Sequence, residues 1–193
     1  MCFDDDKNAK QSMSTVFLSG SRNISRLNDQ IRERLQNMMR KELKIVVGDA
    51  NGADKAMQSY LADQHYLFVT VFCSAGKCRN NIGSWPVEAV DVDPKLKGRA
   101  FYTVKDKAMA EAAEYGFILW DGESKGSISN AETLLEAGKK VALYYAPSKG
   151  FVHLKAPQDL KPLLSDRPAS KPNSKSRRAY PDGQGTLPLG KAS

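Results

Sequence analysis

Three short loops in this 193-residue chain concentrate glycine, hydroxyl and charged side chains directly after runs of apolar residues. They span residues 19–22, 48–54 and 120–127. Glycine lets a backbone approach a ligand closely, hydroxyls and amides donate hydrogen bonds, and a guanidinium binds phosphate through two parallel donors. The three loops therefore predict a binding site for a small molecule that carries phosphate.

The first loop combines three suitable groups in successive positions. Gly20 permits close backbone approach, Ser21 offers a hydroxyl, and Arg22 supplies a counter-charge for phosphate. The alternative interpretation is a tight turn that carries a surface arginine.

The second loop contributes Gly48, Asp49, Asn51, Gly52 and Asp54. It leads directly into a predicted helix, whose first backbone N–H groups and positive dipole end favour an anion. The alternative is that Asn51 caps this helix and Asp54 is an acidic residue of its first turn. Because Asp54 would repel a phosphate placed close to it, we predict that it holds a ribose hydroxyl.

The third loop and the helix that follows it supply Trp120, Asp121, Gly122, Ser124, Gly126, Ser127 and Asn130. Trp120 is predicted either to stack on a base or to pack under the edge of the sheet. Ser129 and Glu132 have the spacing of a capping box, in which the two side chains satisfy the first N–H groups of a helix. That box would explain Glu132 without any role in chemistry.

The elements that must position these loops follow from hydrophobic periodicity. Continuous apolar runs at residues 16–18, 45–47, 67–73, 117–120 and 141–145 predict buried parallel strands. Segments of helical period lie at residues 27–39, 53–63, 101–113 and 129–137. The alternation predicts a Rossmann-like α/β fold, an open parallel sheet of about five strands with helices on both faces. Residues 74–98 are predicted to form a long loop over the carboxyl edge.

Composition divides the chain into three parts. Residues 1–13 form a polar N-terminal segment, residues 14–146 the Rossmann-like domain, and residues 147–193 a proline-rich tail. The tail holds nine Lys or Arg against three Asp, and it therefore carries most of the net charge of +7. We predict a short docked helix at residues 158–164 and disorder after about residue 165. Within the tail, Gln184, Leu187 and Leu189 resemble a peptide that docks on the bacterial sliding clamp.

Several classes of protein are disfavoured. No apolar run approaches the ~20 residues that span a bilayer, and the acidic first dozen residues do not form a secretory signal, so a cytoplasmic location is expected. An odd number of cysteines argues against a disulfide framework and favours ordinary thiols. Cys73 and Cys78 lie five positions apart with only two histidines in the chain, so no metal site is predicted. No motif calls for a cofactor.

Three motifs carry a resemblance to a known family. They are Phe-Leu-Ser-Gly-Ser-Arg at residues 17–22, Gly-Asp-x-x-Gly-Ala-Asp at residues 48–54, and Trp-Asp-Gly-x-Ser-x-Gly-Ser at residues 120–127. In this order and spacing they resemble the SLOG superfamily, in its YpsA/YspA-type branch. The resemblance covers roughly residues 15–145 and implies a Rossmann-like domain that binds a nucleotide or nucleotide sugar. It also implies that Arg79, Asn80, Lys105 and Asp106 belong to the site.

The resemblance leaves three functions open. The first is a sensor or binding module for a nucleotide. The second is an N-glycosidic bond hydrolase or transferase, in which Glu132 would be the nucleophile and Asp106 or Asp121 would position the ribose or supply a proton. Against it, five residues separate Gly126 from Glu132, unlike the Gly-Gly-x-Gly-Thr-x-x-Glu signature of the phosphoribohydrolases. The third is a DNA-associated accessory protein with a clamp-binding tail. A homo-oligomer is a further expectation, since relatives of this fold often pair.

Overall fold

The computed structural model describes residues 13–76 and 78–165. In chain order its elements are β1 (Thr15–Gly20), α1 (Asp29–Arg40), β2 (Lys44–Gly48), α2 (Ala53–Asp63), β3 (Val69–Ser74), β4 (Val87–Val90), α3 (Gly98–Ala112), β5 (Tyr115–Trp120), α4 (Lys125–Glu136), β6 (Lys140–Tyr145), β7 (Gly150–Leu154), a 3-10 turn (Pro157–Asp159) and α5 (Leu160–Ser165). Within the described residues the strands form one sheet in the order β4-β3-β2-β1-β5-β6-β7. Strands β1 to β6 are parallel, and β7 runs antiparallel to β6.

The predicted Rossmann-like open sheet is confirmed, with two more strands than the five expected. Both additional strands lie at the edges of the sheet. β4 falls inside residues 74–98, so the prediction of an uninterrupted loop was wrong there. Val87, Glu88 and Ala89 of β4 are exposed. An edge strand is not covered on both faces, and it therefore lacks the continuous apolar run that identified the central strands.

The central strand β1 shows how the sheet is buried on both faces. Successive side chains of a strand point to opposite sides, so Leu18 packs with residues of α1 and α2, whereas Phe17 packs with residues of α3 and α4. Both side chains are almost completely buried. β1 pairs with β2 on one side and β5 on the other, with Leu18 opposite Val47 and Phe117. The loops after these three strands therefore emerge side by side at the carboxyl edge.

Two predicted helix starts need correction. α2 begins at Ala53 after Gly52, whose positive φ of 85° turns the chain into the helix, and no side chain caps it. The alternative that Asn51 caps α2 was therefore wrong. α4 begins at Lys125, with Ser124 as its N-cap, one turn before the predicted start at residue 129. The Ser129–Glu132 capping box was wrong for the same reason, because both residues lie inside the helix.

The sheet and its core continue beyond the domain boundary predicted at residue 146. Leu154 of β7 and Leu160 of α5 are both buried in the same cluster as α3 and α4. The short helix expected at residues 158–164 is present as the 3-10 turn and α5. The predicted clamp-binding residues Gln184, Leu187 and Leu189 lie outside the described residues, as does the N-terminal segment up to residue 12.

Two cysteines differ from expectation. Cys73, at the end of β3, and Cys78 form a disulfide, with their Cα atoms 5.1 Å apart. The prediction of ordinary thiols was wrong for this pair, because an odd total of cysteines does not exclude a single local bridge. Elsewhere in the described part of the chain, no group of three or more His, Cys, Asp or Glu side chains is arranged to hold a metal. No helix among the described residues is long and apolar enough to cross a membrane.

Candidate functional site

A cavity of about 670 Å³ lies at the carboxyl edge of the sheet. The loops after β1, β2, β3 and β5 form it together with the first turns of α3 and α4. Predicted site residues that line it are Gly20, Ser21, Arg22, Asp54, Arg79, Lys105, Asp106, Ser124, Gly126, Ser127 and Asn130. Those that do not line it are Gly48, Asp49, Asn51, Gly52, Asn80, Trp120, Asp121, Gly122 and Glu132. Two residues that do not line the cavity, Asp49 and Asp121, form hydrogen bonds to residues that do.

Asp121 ties the first and third loops together. Its Oδ2 accepts hydrogen bonds from Ser21 Oγ at 2.6 Å and from Asn23 Nδ2 at 2.8 Å. Its Oδ1 accepts from the backbone N–H of Ser124 at 2.8 Å and of Glu123 at 3.1 Å. Burial alone would raise the pKa of Asp121, but these hydrogen bonds outweigh it and hold the pKa below its usual value. A carboxylate so engaged is a structural bridge, and the arrangement does not support a catalytic role for Asp121.

The two glycines of the first and second loops make close packing possible. A Cβ on Gly20 would lie 2.6 Å from the Cβ of Ala53 and 2.7 Å from the carbonyl oxygen of Leu119. A Cβ on Gly52 would lie 2.4 Å from Cα of Arg22. The Ala53 N–H also donates to the Ser21 carbonyl at 3.1 Å. Because these two glycines have no side chain, the loop after β1 can pack directly against the start of α2.

Arg79, which lines the cavity, forms an ion pair with the buried Asp49, which does not. Arg79 donates through Nε to Asp49 Oδ2 at 3.0 Å and through a terminal nitrogen to Asp49 Oδ1 at 2.8 Å. Burial would raise the pKa of Asp49, but the hydrogen bonds from Arg79 and the charge of Lys105 lower it to about 2. Asp49 is therefore ionised, and it holds Arg79 rather than a ligand.

Lys105 lies at the centre of three carboxylates. Its side chain is only 3% exposed, and Nζ lies 3.4 Å from Asp49 Oδ1 and 3.7 Å from Asp106 Oδ1. A Cβ on Gly48 would lie 2.7 Å from this Nζ and 2.5 Å from Asp54 Oδ2. Gly48 therefore provides the space into which Lys105 and Asp54 fit.

Three carboxyl groups line the cavity: Asp54 and Asp106, which lie near Lys105 and form what we call the floor, and the exposed Glu123, which precedes α4. Burial raises the pKa of Asp54 to about 7, although the nearby charge of Lys105 acts in the opposite direction. Burial also raises the pKa of Asp106, against the charge of Lys105 and a hydrogen bond from Asn130. Near neutral pH Asp54 can therefore both donate and accept a proton. Asp54 and Asp106 together therefore suit hydrogen bonding to sugar hydroxyls, which both donate and accept.

Gln58 is an organising residue that the sequence analysis missed. It is completely buried on α2, and its Nε2 donates to the Gly48 carbonyl at 2.8 Å. Its Oε1 accepts from the backbone N–H of Ile82 at 3.0 Å. Nearby, Asn80 Nδ2 donates to the Asp49 carbonyl at 2.8 Å and to Asn51 Oδ1 at 3.0 Å. The sequence feature that could have indicated this role is a glutamine that follows Met57 on the buried face of α2.

The first turn of α4 forms one wall. Ser124 Oγ accepts from the Ser127 backbone N–H at 3.3 Å and from Ser127 Oγ at 3.0 Å. One turn further, Asn130 Nδ2 donates to Ser19 Oγ at 2.8 Å, which fixes α4 against the end of β1. A helix that begins at a cavity directs its unpaired backbone N–H groups and its positive dipole end into it.

α3 contributes a second set of residues that the sequence analysis did not identify. The Cζ atoms of Arg22 and Arg79 lie 5.5 Å and 4.8 Å from the centre of the Tyr102 ring. Arg99, also on α3, donates to the backbone carbonyl of Lys125 at 2.8 Å. Arg99 and Tyr102 could have been found because they lie on the same helix as Lys105, which the sequence analysis had already assigned to the site.

Two predicted roles do not fit this geometry. Trp120 is fully buried and stacks on Tyr145, with ring centres 5.1 Å apart, so the alternative of stacking on a base was wrong and packing beneath the sheet edge holds. Glu132 lies in the second turn of α4, and it is not among the residues that line the cavity. A carboxylate there is not placed to attack a ligand in the cavity.

Comparison with known proteins shows a similarity of fold to two solved structures. No family model and no curated protein matches the chain. The structure of DNA processing protein A from Helicobacter pylori, described for its single-stranded DNA binding mode, matches 67% of this chain and 64% of its own with a TM-score of 0.52 and 14% identity. That of DNA processing protein A from Streptococcus pneumoniae matches 78% and 61%, with a TM-score of 0.52 and 16% identity. The chain is similar in fold to the matched parts of these two proteins.

This likeness is one of fold, at an identity too low to transfer a function. It agrees with the predicted Rossmann-like fold, whereas membership of the SLOG superfamily and of its YpsA/YspA-type branch stays a prediction. The chain spans less than two thirds of the length of either relative. What the cavity binds must therefore be argued from its own residues.

Proposed function

We propose that this protein is a binding module for a nucleotide or nucleotide-derived small molecule, held in the cavity at the carboxyl edge of the sheet. The observation that carries the proposal is the division of one cavity into two chemical halves. The first turn of α4 forms an anion-binding wall, and Asp54 and Asp106 form an acidic floor. A nucleotide has the same division, a phosphate joined to a sugar with hydroxyl donors.

The phosphate is assigned to the wall formed by α4. Gly126 offers a backbone N–H group at the positive end of the helix dipole, and the exposed Lys125 adds a charge. Ser124 Oγ accepts from the backbone N–H and the hydroxyl of Ser127, so its own O–H is left to donate and is fixed in place before a ligand arrives. Fixed donors cost less entropy when they bind than donors on mobile side chains.

The sugar is assigned to the floor. Asp54 and Asp106 accept hydrogen bonds from hydroxyls, and Asn130 fixes the adjoining end of β1. A second phosphate at this position would meet two carboxylates, which disfavours it. The orientation of the ligand follows from these opposite preferences.

A Glu132-dependent glycosidase is the less favoured reading, because Glu132 does not line the cavity. Asp106 remains as a cavity carboxylate that could assist glycosidic cleavage. Release of free base measured by liquid chromatography and mass spectrometry separates the two functions. Binding without release is expected from the wild type and from Glu132→Gln alike.

Single-stranded DNA is a second candidate ligand. The exposed cations Arg22, Arg99 and Lys125 surround the cavity, and one protein of the same fold is described for single-stranded DNA binding. A strand would place one nucleotide in the cavity and its neighbours across these cations.

Calorimetric titration of the full chain with adenosine, adenosine monophosphate and a short oligothymidylate tests these proposals. We expect the monophosphate to bind at least about tenfold more tightly than adenosine, because charge-assisted hydrogen bonds to phosphate are strong. Asp106→Asn should weaken binding, and Glu132→Gln should not. Binding of only the oligonucleotide would favour the second candidate, and binding of none of the three would overturn both.

A further inference from the structure

We propose that Tyr102 makes the mouth of the cavity a second anion position, so that the ligand carries two anionic groups, as a nucleoside diphosphate does. This inference rests on the proposed function. It concerns Tyr102 and the two guanidinium groups beside it, those of Arg22 and Arg79. None of these contacts was needed to assign the phosphate wall or the sugar floor.

Arg79 is the fixed member of the group. Asp49 accepts from its Nε and from one terminal nitrogen, and the Asp49 carboxylate also accepts from its backbone N–H at 3.1 Å. A guanidinium has five N–H donors, so this pairing leaves donors for another partner. The side chain is 35% exposed and lines the cavity. Arg79 is thus oriented in advance, with donors left for a ligand.

Arg22 is the adjustable member. Its backbone is fixed by the close approach of Gly52, but its side chain is exposed. Among residues 13–76 and 78–165, no carboxylate lies within salt-bridge distance of its guanidinium. The ring of Tyr102 is its neighbour at 5.5 Å. Its charge is therefore available to an anion.

Tyr102 brings these two like charges to one place. Asp49 offsets the charge of Arg79, whereas Arg22 has no carboxylate partner among the described residues, so the group carries a net positive charge. An anion beside the ring would offset this charge and use the remaining donors of both arginines. A ring that gathers two cations at a cavity mouth is therefore an arrangement that favours an anionic group.

The mouth adjoins the phosphate wall through α3. Arg99 lies one turn before Tyr102 on this helix, and it donates to the Lys125 carbonyl in the first turn of α4. The two anion positions thus belong to one continuous surface. Two linked phosphates suit it, and a nucleoside monophosphate would leave one position empty.

The test compares adenosine monophosphate and adenosine diphosphate by calorimetry, without added metal ions. We expect the wild type to bind the diphosphate at least about tenfold more tightly, since each phosphate gains charge-assisted hydrogen bonds. Tyr102→Leu should reduce this ratio, whereas Tyr102→Phe keeps the ring and should retain it. Arg32→Ala, which removes an exposed arginine of α1, is the matched charge control.

The outcomes separate this inference from the proposed function. If neither nucleotide binds, the proposed function fails. If both bind with equal affinity, or if Tyr102→Leu keeps the wild-type ratio, only the second anion position fails. Should Tyr102→Leu not fold, Arg22→Gln serves in its place, because Arg22 is exposed; it must also reduce the ratio.

Discussion

Asp49 accepts three hydrogen bonds from Arg79, two from the guanidinium at 2.8 Å and 3.0 Å and one from the backbone N–H at 3.1 Å. The contact joins the end of β2 to the segment that follows β3. It fixes both the path of that segment and the direction of its arginine. The carboxylate is thus a structural centre of the site without facing the cavity.

Asp49→Asn should therefore destabilise the protein. The substitution removes the charge that pairs with Arg79 and lies 3.4 Å from buried Lys105. We expect the free energy of unfolding to fall by about 2 kcal/mol, which is within the usual range for hydrogen bonds to charged groups. A larger fall is not expected, because Arg79 is about one third exposed and water can replace part of the lost contact. Urea denaturation at pH 7 measures it. Asp63→Asn, at an exposed position of α2, is the control, and equal stability of the two variants would contradict the prediction.

The contribution of Asp54 to the stability of the protein should change between about pH 4 and pH 7. Its pKa is about 7 in the folded state, against 3.8 for an ordinary aspartate, so the folded state retains a proton that the unfolded state loses. That stabilisation is complete below the unfolded pKa and is lost as the pH rises through about 7. The wild type should therefore become less stable from pH 5.5 to pH 7.5, by up to ~1.4 kcal/mol per pH unit.

Asp54→Asn should reduce this dependence, because asparagine does not titrate; what remains is assigned to Asp106, whose pKa is also raised. Urea titrations of both proteins at the two pH values provide the measurement. Asp49, with its lowered pKa, titrates well below this window and should not contribute. A wild-type protein of constant stability over the range would refute the raised pKa of Asp54.

Gly52→Ala and Gly138→Ala form a matched pair. Both glycines have positive φ, 85° and 72°, so both substitutions should incur the backbone cost of about 1–2 kcal/mol. A Cβ at Gly52 would also meet the Arg22 backbone at 2.4 Å, whereas a Cβ at Gly138 has no neighbour within 4 Å. We therefore expect a much larger fall in melting temperature for Gly52→Ala. Equal falls would show that the first loop moves easily away from α2.

Cys78→Ser should lower stability by removing the disulfide with Cys73. Closing a loop of this length contributes about 2 kcal/mol in the chain-entropy model. Cys78 also directly precedes Arg79, so the variant should loosen the contact with Asp49. Thermal unfolding of wild type, Cys78→Ser and Cys2→Ser under oxidising conditions provides the comparison. A dithiol reductant should lower the melting temperature of the wild type and of Cys2→Ser, but not that of Cys78→Ser.

The sequence predicted where the loops of the site lie better than what each residue does. Gly20, Ser21 and Ser127 could be located because the loops after parallel strands meet at one edge, a property of the fold rather than of distant contacts. Asp49 and Asp121 were assigned to the ligand or to catalysis, yet both hold other loops. A carboxylate looks the same in sequence whether its partner is a ligand or a buried arginine.

Other features depended on contacts that no local pattern reveals. Tyr102 belongs to the cavity because the crossover places the second turn of α3 beside the loops that follow β1 and β3. β4 was not predicted because an exposed edge strand has no apolar run. The start of α4 at Lys125 was missed because the serines at residues 124 and 129 are both suitable N-cap residues. In each case tertiary packing selected among locally acceptable choices.

The central position of β1 also bears on the order in which the protein folds. β1 is the first strand of the described residues, yet β5 pairs Phe117 with its Leu18, so most of the domain must be synthesised before this contact exists. Parallel sheets with such distant partners fold slowly, because loop closure must precede the gain from pairing. The bond from Ser21 to Asp121 spans the same interval, and the site is therefore completed only when the two halves of the sheet join.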